Sequence, residues 1–124
     1  MNAQPGRDPE TVAHPNPLGI NGFEFVEFAA PDPGVLHALF AQLGFVAVAR
    51  HRRQAITLYR QGGVNFLVNE QADSFAARFA ALHGPSACGF AIRVTDGAGA
   101  LASVCARGAV AMAAGGAIDA PAIE

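Results

Sequence analysis

The feature that most constrains the fold is a spacing that occurs twice. Asp32 and Gly44 stand as far apart as Asp96 and Gly108, and the second pair follows the first by 64 residues. In both copies an apolar, strand-like run precedes the aspartate, and a helix-like run lies between the aspartate and the glycine. The sequence therefore predicts one supersecondary unit that is repeated within the chain.

The first copy has the pattern of a strand, a helix and three further strands. A strand is predicted from Phe23 to Phe28, followed by a helix with Asp32 as its cap and Pro33 at its first position. Gly44 is expected to end this helix in the left-handed conformation. The apolar stripe expected to be buried consists of Val35, Leu36, Leu39, Phe40 and Leu43. The three further strands are predicted at 45–50, 55–60 and 64–69.

The second copy is reached through a connecting helix. Asp73 or Ser74 is expected to cap that helix, which presents Phe75, Phe79 and Leu82 on one face. The second copy then begins with a strand at 88–94 and a helix capped by Asp96. Its inward residues are predicted to be Leu101, Val104 and Cys105, and a returning strand is predicted at 110–113. Only 117–124 remain for a third strand.

These patterns predict an α+β domain made of paired βαβββ modules, the second without its last strand. The predicted organisation is a proline-rich flexible leader (1–21) followed by one domain (22–124). Within the domain the ranges are module one at 22–71, a connector helix at 73–84 and a partial module two at 87–124. An incomplete sheet keeps an unpaired edge, which predicts marginal stability or self-association.

Composition excludes several classes of function. The formal net charge is −2 and the pI is about 6.0, so nothing drives the chain as a whole toward nucleic acid or anionic lipid. No apolar run approaches the roughly 20 residues of a spanning helix. Cys88 and Cys105 form no CxxC pair, and both are interpreted as small core residues. A cytoplasmic protein is expected.

None of the four histidines makes a convincing metal site. His14 falls in the leader, His37 on the exposed side of the first helix, His51 in a turn and His83 at a helix end. No two of them have the spacing that converges on one metal ion, and surface roles are expected for all four.

The charged residues also give weak signals for chemistry. Glu24 and Glu27 lie on a predicted strand and should point to opposite faces, which argues against a paired acid and base. One of them is expected to line the cup or a domain contact. The basic run Arg50–Arg53 could bind phosphate or an acidic partner, but a solvated hairpin tip is the favoured interpretation.

Several segments in the same order resemble the N-terminal half of the bacterial 4-hydroxyphenylpyruvate dioxygenase family, from about Asn16 to Glu124. They are Asn16-Pro-Leu-Gly, Gly22-Phe-Glu-Phe-Val-Glu-Phe, Pro31-Asp32, Ala49-Arg-His-Arg, Leu58-Tyr-Arg-Gln-Gly, Asn65-Phe66 and Leu82-His-Gly-Pro-Ser-Ala-Cys. The resemblance implies the vicinal-oxygen-chelate fold. It also implies an Fe(II) enzyme that converts 4-hydroxyphenylpyruvate and O₂ to homogentisate and CO₂ in tyrosine breakdown.

In that family two His and one Glu hold the iron, and all three belong to the C-terminal domain. In metal-binding relatives a ligand His stands about seven residues before the aspartate of the module, and those positions here are Phe25 and Gly89. The resemblance therefore assigns no catalytic, cofactor-binding or metal residue to this chain. It implies a structural half that is inactive alone and packs against the C-terminal catalytic domain.

A second hypothesis is a non-catalytic module of the same fold that dimerises or holds a small molecule in its cup. Phe23, Phe25 and Phe66 would permit an aromatic lining of the cup, although core packing explains the same three rings.

Overall fold

The computed structural model describes residues 15–112. This part of the chain contains five strands and three helices that alternate in the order of the predicted modules. Their bounds are β1 Phe23–Ala29, α1 Gly34–Gln42, β2 Val46–Arg50, β3 Ile56–Gln61, β4 Val64–Asn69, α2 Phe75–His83, β5 Ser86–Ile92 and α3 Gly97–Ala106. None of these three helices has the length and apolar character needed to cross a bilayer.

The strands form one mixed sheet in the order β2-β3-β4-β1-β5. β1 lies parallel to β4 and antiparallel to β5, whereas β2, β3 and β4 are antiparallel neighbours. The first four strands and α1 therefore make a complete βαβββ module, and β5 with α3 begins a second one. This confirms the predicted α+β class.

The strand predicted at 88–94 is displaced in the structure. It runs instead from Ser86 to Ile92, because antiparallel pairing with β1 places Ser86 opposite Ala29 and Ile92 opposite Phe23. The length of the partner strand, which local residue preferences do not reveal, sets these limits. Of the returning strand predicted at 110–113, the described residues include one isolated bridge at Ala111. The rest of the second module falls at 113–124, outside the described residues.

The two repeated helices end in the same way. Gly44 has a φ of +88° and Gly108 a φ of +109°, and only a residue without Cβ enters this region at low cost. In both copies two backbone N–H groups after the helix fold back onto its last turn, as in a Schellman motif. The donor and acceptor pairs are Gly44 to Ala41, Phe45 to Phe40, Gly108 to Cys105 and Ala109 to Val104. The predicted repeat is thus present in the backbone hydrogen bonds.

The predicted caps are also present. Asp96 Oδ1 accepts a hydrogen bond from Gly99 N–H at 3.1 Å at the start of α3. Asp32 Oδ1 accepts from Gly34 N–H at 3.1 Å, while Pro33 between them already has helical dihedrals. Of the two candidates for α2, Ser74 is the cap, since its Oγ accepts from Ala77 N–H at 3.0 Å. Asp73 adopts a φ of +57° just before it.

The main core lies between α1 and one face of the sheet. Its buried members are Leu36, Phe40, Tyr59 and Val68, with Phe28, Ala30, Phe45 and Phe66 packed around them. The prediction that the whole apolar stripe of α1 is buried was wrong. Val35, Leu39 and Leu43 remain 46%, 46% and 54% exposed, because a single helix on a single sheet covers a narrow stripe of its surface.

A smaller cluster holds α2 against the sheet. Ala76 and Ala80 of this helix are buried against Ala29, and Cys88 packs beside them. The aromatic face predicted for α2 is not its packing face, since Phe75 is 62% and Leu82 81% exposed. The small alanine side chains let the helix approach the strands closely.

The third helix packs less tightly than predicted. Leu101, Val104 and Cys105 of α3 are only partly buried, and no residue of α3 counts as buried within the described part of the chain.

The end of the predicted leader is attached to the sheet. Asn16 closes a turn in which its side chain bonds both backbone groups of Ile20. Asn21 N–H donates to the carbonyl of Arg93 at 2.8 Å, just beyond β5. Residues 1–14, which include His14, lie outside the described residues.

Candidate functional site: a groove on the open face of the sheet

The face of the sheet opposite α1 carries a groove with a volume of about 300 Å³. Because successive strand residues point to opposite faces, Tyr59 lies under α1 while its neighbours Leu58 and Arg60 line the groove. The full lining consists of Glu24, Phe25, Ala49, Arg50, His51, Ile56, Leu58, Arg60, Asn65 and Leu67. These residues come from β1, β2, β3 and β4 and from His51 just after β2, so a single module builds the groove.

The groove has an apolar floor and a basic rim. Phe25, Leu58 and Leu67 form the floor with Ile56, and both Ile56 and Leu67 are buried. Arg50, His51 and Arg60 are exposed around it. An apolar floor with a few charged groups at its edge is the usual composition of a small-molecule site.

Hydrogen bonds hold the acidic and basic side chains of the groove in place. Arg60 Nε donates to Asn65 Oδ1 at 2.8 Å, and Asn65 Nδ2 donates in turn to the carbonyl oxygen of Glu24 at 3.0 Å. The carboxylate of Glu24 accepts from Arg93 Nε at 2.6 Å. The only carboxylate among the lining residues is therefore already paired, and the rim has an excess of positive charge.

The basic run lies at the tip of the β2–β3 hairpin, as predicted, and its four side chains are exposed. His51 Nδ1 accepts hydrogen bonds from the N–H groups of Arg53 and Gln54, both at 3.1 Å. Neutral His51 thus carries its proton on Nε2. The tip is exposed, as the solvated-tip interpretation requires, but the sequence did not indicate that Arg50 and His51 also border the groove.

Phe25 and Gly89, the two positions where the family resemblance implies ligand histidines in metal-binding relatives, lie on the neighbouring strands β1 and β5. Gly89 pairs with Glu27 across β5 and β1, and Phe25 is two residues from Glu27. Glu27 Oε1 accepts from Asn69 Nδ2 at 2.6 Å, so the one carboxylate here is engaged. A site for non-haem iron needs two imidazoles and a carboxylate, and these residues do not fit it. Within residues 15–112 no three His, Cys, Asp or Glu side chains cluster as metal ligands do.

His37 is not the solvated surface residue that the helix pattern predicted. Its Nδ1 lies 2.6 Å from the hydroxyl of Tyr59, and its Nε2 lies 3.0 Å from Glu70 Oε2. The imidazole side chain is only 27% exposed. Because the carboxylate can only accept, Nε2 donates to it and Nδ1 accepts from the tyrosine in the neutral ring. This bridge ties α1 to β3 and to the residue after β4, on the face away from the groove.

The remaining predicted residues divide between surface and core. Of the three rings proposed for the cup, Phe25 lines the groove, Phe23 packs edge-on against Phe90, and Phe66 stacks on Phe45 at 4.5 Å within the core. His83 is at the end of α2, as predicted, with its ring against Phe79.

Cys88 is partly buried, and its Sγ lies 3.6 Å from the carbonyl oxygen of Glu27. Burial, with a smaller contribution from the charge of Glu27, raises the pKa of Cys88 to about 11. A thiol of this kind is a poor nucleophile, which agrees with the structural role expected for it.

Sequence comparison places the whole described domain in one family. The family described as "Hydroxyphenylpyruvate dioxygenase, HPPD, N-terminal" matches residues 14–124. Hemolysin VllY of Vibrio vulnificus is 54% identical over 97 residues, which cover 76% of this chain and 27% of that protein. The 4-hydroxyphenylpyruvate dioxygenase of Pseudomonas sp. (strain P.J. 874) is 51% identical over 81 residues, 65% of this chain and 23% of the enzyme. The chain spans about a quarter of the length of these curated relatives.

Solved structures agree with this placement. A xylose isomerase-like TIM barrel/4-hydroxyphenylpyruvate dioxygenase fusion protein matches with a TM-score of 0.76 and 32% identity, covering 94% of this chain and 20% of that one. Methylmalonyl-CoA epimerase from Mycobacterium tuberculosis matches with a TM-score of 0.65 at 18% identity, covering 82% and 73%, and shows the fold alone. The chain has the vicinal-oxygen-chelate fold and belongs to the hydroxyphenylpyruvate dioxygenase N-terminal domain family.

Proposed function

We propose that this chain is the non-catalytic N-terminal domain of a 4-hydroxyphenylpyruvate dioxygenase. The parent enzyme would convert 4-hydroxyphenylpyruvate and O₂ to homogentisate and CO₂ in tyrosine breakdown in the cytoplasm. Its Fe(II) would be held by two His and one Glu of the C-terminal catalytic domain. That domain is the proposed partner, and the proposal involves neither nucleic acid nor a membrane.

The observation that carries the proposal is the chemistry of the face that would hold a metal. Phe25 and Gly89 stand where the family resemblance implies ligand histidines in metal-binding relatives, and Glu27, which pairs with Gly89, is bonded to Asn69. Neither a phenyl ring nor a glycine can donate an electron pair to iron. The family match is consistent with a structural role for this domain, with catalysis carried out by the C-terminal domain of the enzyme.

The exposed apolar surface of the domain supports packing against a partner. Val35, Leu39 and Leu43 form a half-exposed stripe along α1, and Phe75 and Leu82 are exposed on α2. Clustered exposed hydrophobic residues of this kind mark interaction surfaces. In this proposal the module ranges 22–71, 73–84 and 87–124 form one unit that docks as a whole.

Self-association is a second candidate role, favoured by the open edge of β5. Within residues 15–112 this strand has β1 as its one neighbour, and its sequence from Ser86 to Ile92 carries no charge. Phe90 on this strand is 66% exposed. In monomeric proteins, edge strands usually carry charged residues or proline, which prevent pairing with another chain. Because β5 carries neither, its edge is suited to pairing with a second copy in a homo-oligomer.

Turnover by the isolated chain tests the proposal. The purified 124-residue chain, supplied with Fe(II), ascorbate, O₂ and 4-hydroxyphenylpyruvate, is expected to form no homogentisate. The Pseudomonas sp. enzyme, assayed in parallel, is the positive control for the conditions. Iron-dependent homogentisate formation by the chain alone would show that it carries its own catalytic site and would overturn the proposal.

A further inference from the structure

We propose that the groove on the open face binds a small organic anion with a flat apolar body, such as an aryl carboxylate, with Arg60 at its charged end. This goes beyond the role as a supporting domain and does not depend on it. The argument rests on the size of the groove, the sidedness of its lining and the excess of positive charge at its rim.

The size and floor of the groove fit one ring with a short chain. Its volume of about 300 Å³ is at the lower end of the range for ligand pockets. Phe25 at the floor offers a ring face or edge to an aromatic ligand, and Leu58 and Leu67 offer branched aliphatic contacts. A larger ligand would extend beyond the apolar floor.

The rim selects for negative charge. Arg60 is oriented through its Nε by Asn65, and its two Nη groups have no acceptor within residues 15–112. These paired donors match the two oxygens of a carboxylate. Arg50 of β2 lines the same groove farther along β3, opposite Thr57, and Glu24, which could have neutralised Arg60, is bonded to Arg93. A neutral or cationic ligand would leave the arginine side chains of the rim without an anionic partner.

The full chain is titrated separately with three ligands: 3-phenylpropionate, the neutral amide 3-phenylpropanamide, and acetate. Binding is measured from the NMR chemical shifts of the backbone N–H groups of the protein. The carboxylate is expected to bind at least about tenfold more tightly than its amide, because charge-assisted bonds to arginine are the stronger ones. The shifts are expected at Leu58 and Leu67. Acetate, which lacks the apolar body, is expected to bind far more weakly.

Two variants with the same change of charge locate the site. Arg60→Gln is expected to weaken 3-phenylpropionate binding about tenfold or more. Arg78→Gln on α2, which removes a guanidinium bonded to the carbonyl of Asp73, is the control and should leave binding unchanged. Equal affinity for acid and amide, equal effects of the two variants, or no shifts at about 10 mM ligand would each overturn the proposal.

The comparison of acid with amide uses the unaltered chain, so the test stands even if a variant folds poorly. It is also independent of turnover. A chain that forms no homogentisate and binds no aryl carboxylate would refute the ligand site and leave the role as a supporting domain intact.

Discussion

Replacing Phe40 with alanine is expected to lower the free energy of unfolding by about 3–5 kcal/mol. Phe40 is 2% exposed, and its ring centroid lies 5.1 Å from those of Phe28 and Phe66 and 5.5 Å from that of Tyr59. Three of these rings belong to paired strands, which cannot collapse into the cavity that the substitution leaves. Since domains of this size have a free energy of unfolding of about 5–15 kcal/mol, the substitution should remove a large fraction of the stability.

Urea denaturation followed by circular dichroism measures this loss. Leu39→Ala is the matched control because Leu39 is the preceding residue of the same helix and is 46% exposed. It should cost less than about 1 kcal/mol, since nearly half of its surface is already in contact with water. Equal losses for the two variants would mean that α1 does not pack on the sheet through the Leu36 and Phe40 face.

Alkylation of Cys88 by iodoacetamide is expected to be about 100-fold slower near pH 8 than that of a thiol with the ordinary pKa of 9.0. The reason is that burial and the charge of Glu27 raise the pKa of Cys88 to about 11, and only the thiolate attacks. The rate should therefore keep rising tenfold per pH unit through pH 9 and level off only near 11.

The measurement uses the Cys105→Ser variant, so that Cys88 is the one reacting thiol. The same variant in urea is the control, and its rate should level off near pH 9.0, as for an exposed thiol. A plateau near 9.0 in the native protein would show that Cys88 is not held among Ala29, Ala76 and Ala80.

The raised pKa of Cys88 also makes the stability of the protein depend on pH. The neutral thiol is favoured in the folded state, so the free energy of unfolding should fall as the pH rises from 9.0 toward 11.

The sequence predicts well those features that depend on residues close together in the chain, such as helix caps and helix ends. Asp96 caps α3 and Gly44 ends α1 because these roles depend on the residue itself and on bonds to its near neighbours. The twofold occurrence of this spacing was enough to predict the βαβββ architecture. The limits of β5 could not be predicted, because the ends of β1 set them.

The candidate site depends on contacts between distant segments, and the sequence indicated only parts of it. Helical periodicity placed His37 on the outer side of α1, but its partners Tyr59 and Glu70 come from two other elements. The alternation of Leu58, Tyr59 and Arg60 is a signal that one of each pair of neighbours faces away from the core. That signal does not reveal that Arg60 shares a groove with Arg50.

The most direct test of the central claim is the activity of a chimera. The 81-residue segment of the Pseudomonas sp. dioxygenase that aligns with this chain would be replaced by the matching residues of this chain. As a control, the same segment would be replaced by methylmalonyl-CoA epimerase, which shares the fold at 18% identity to this chain. If this chain is the supporting domain of such an enzyme, the first chimera makes homogentisate and the control does not. A first chimera that folds and binds iron but forms no homogentisate would contradict the account.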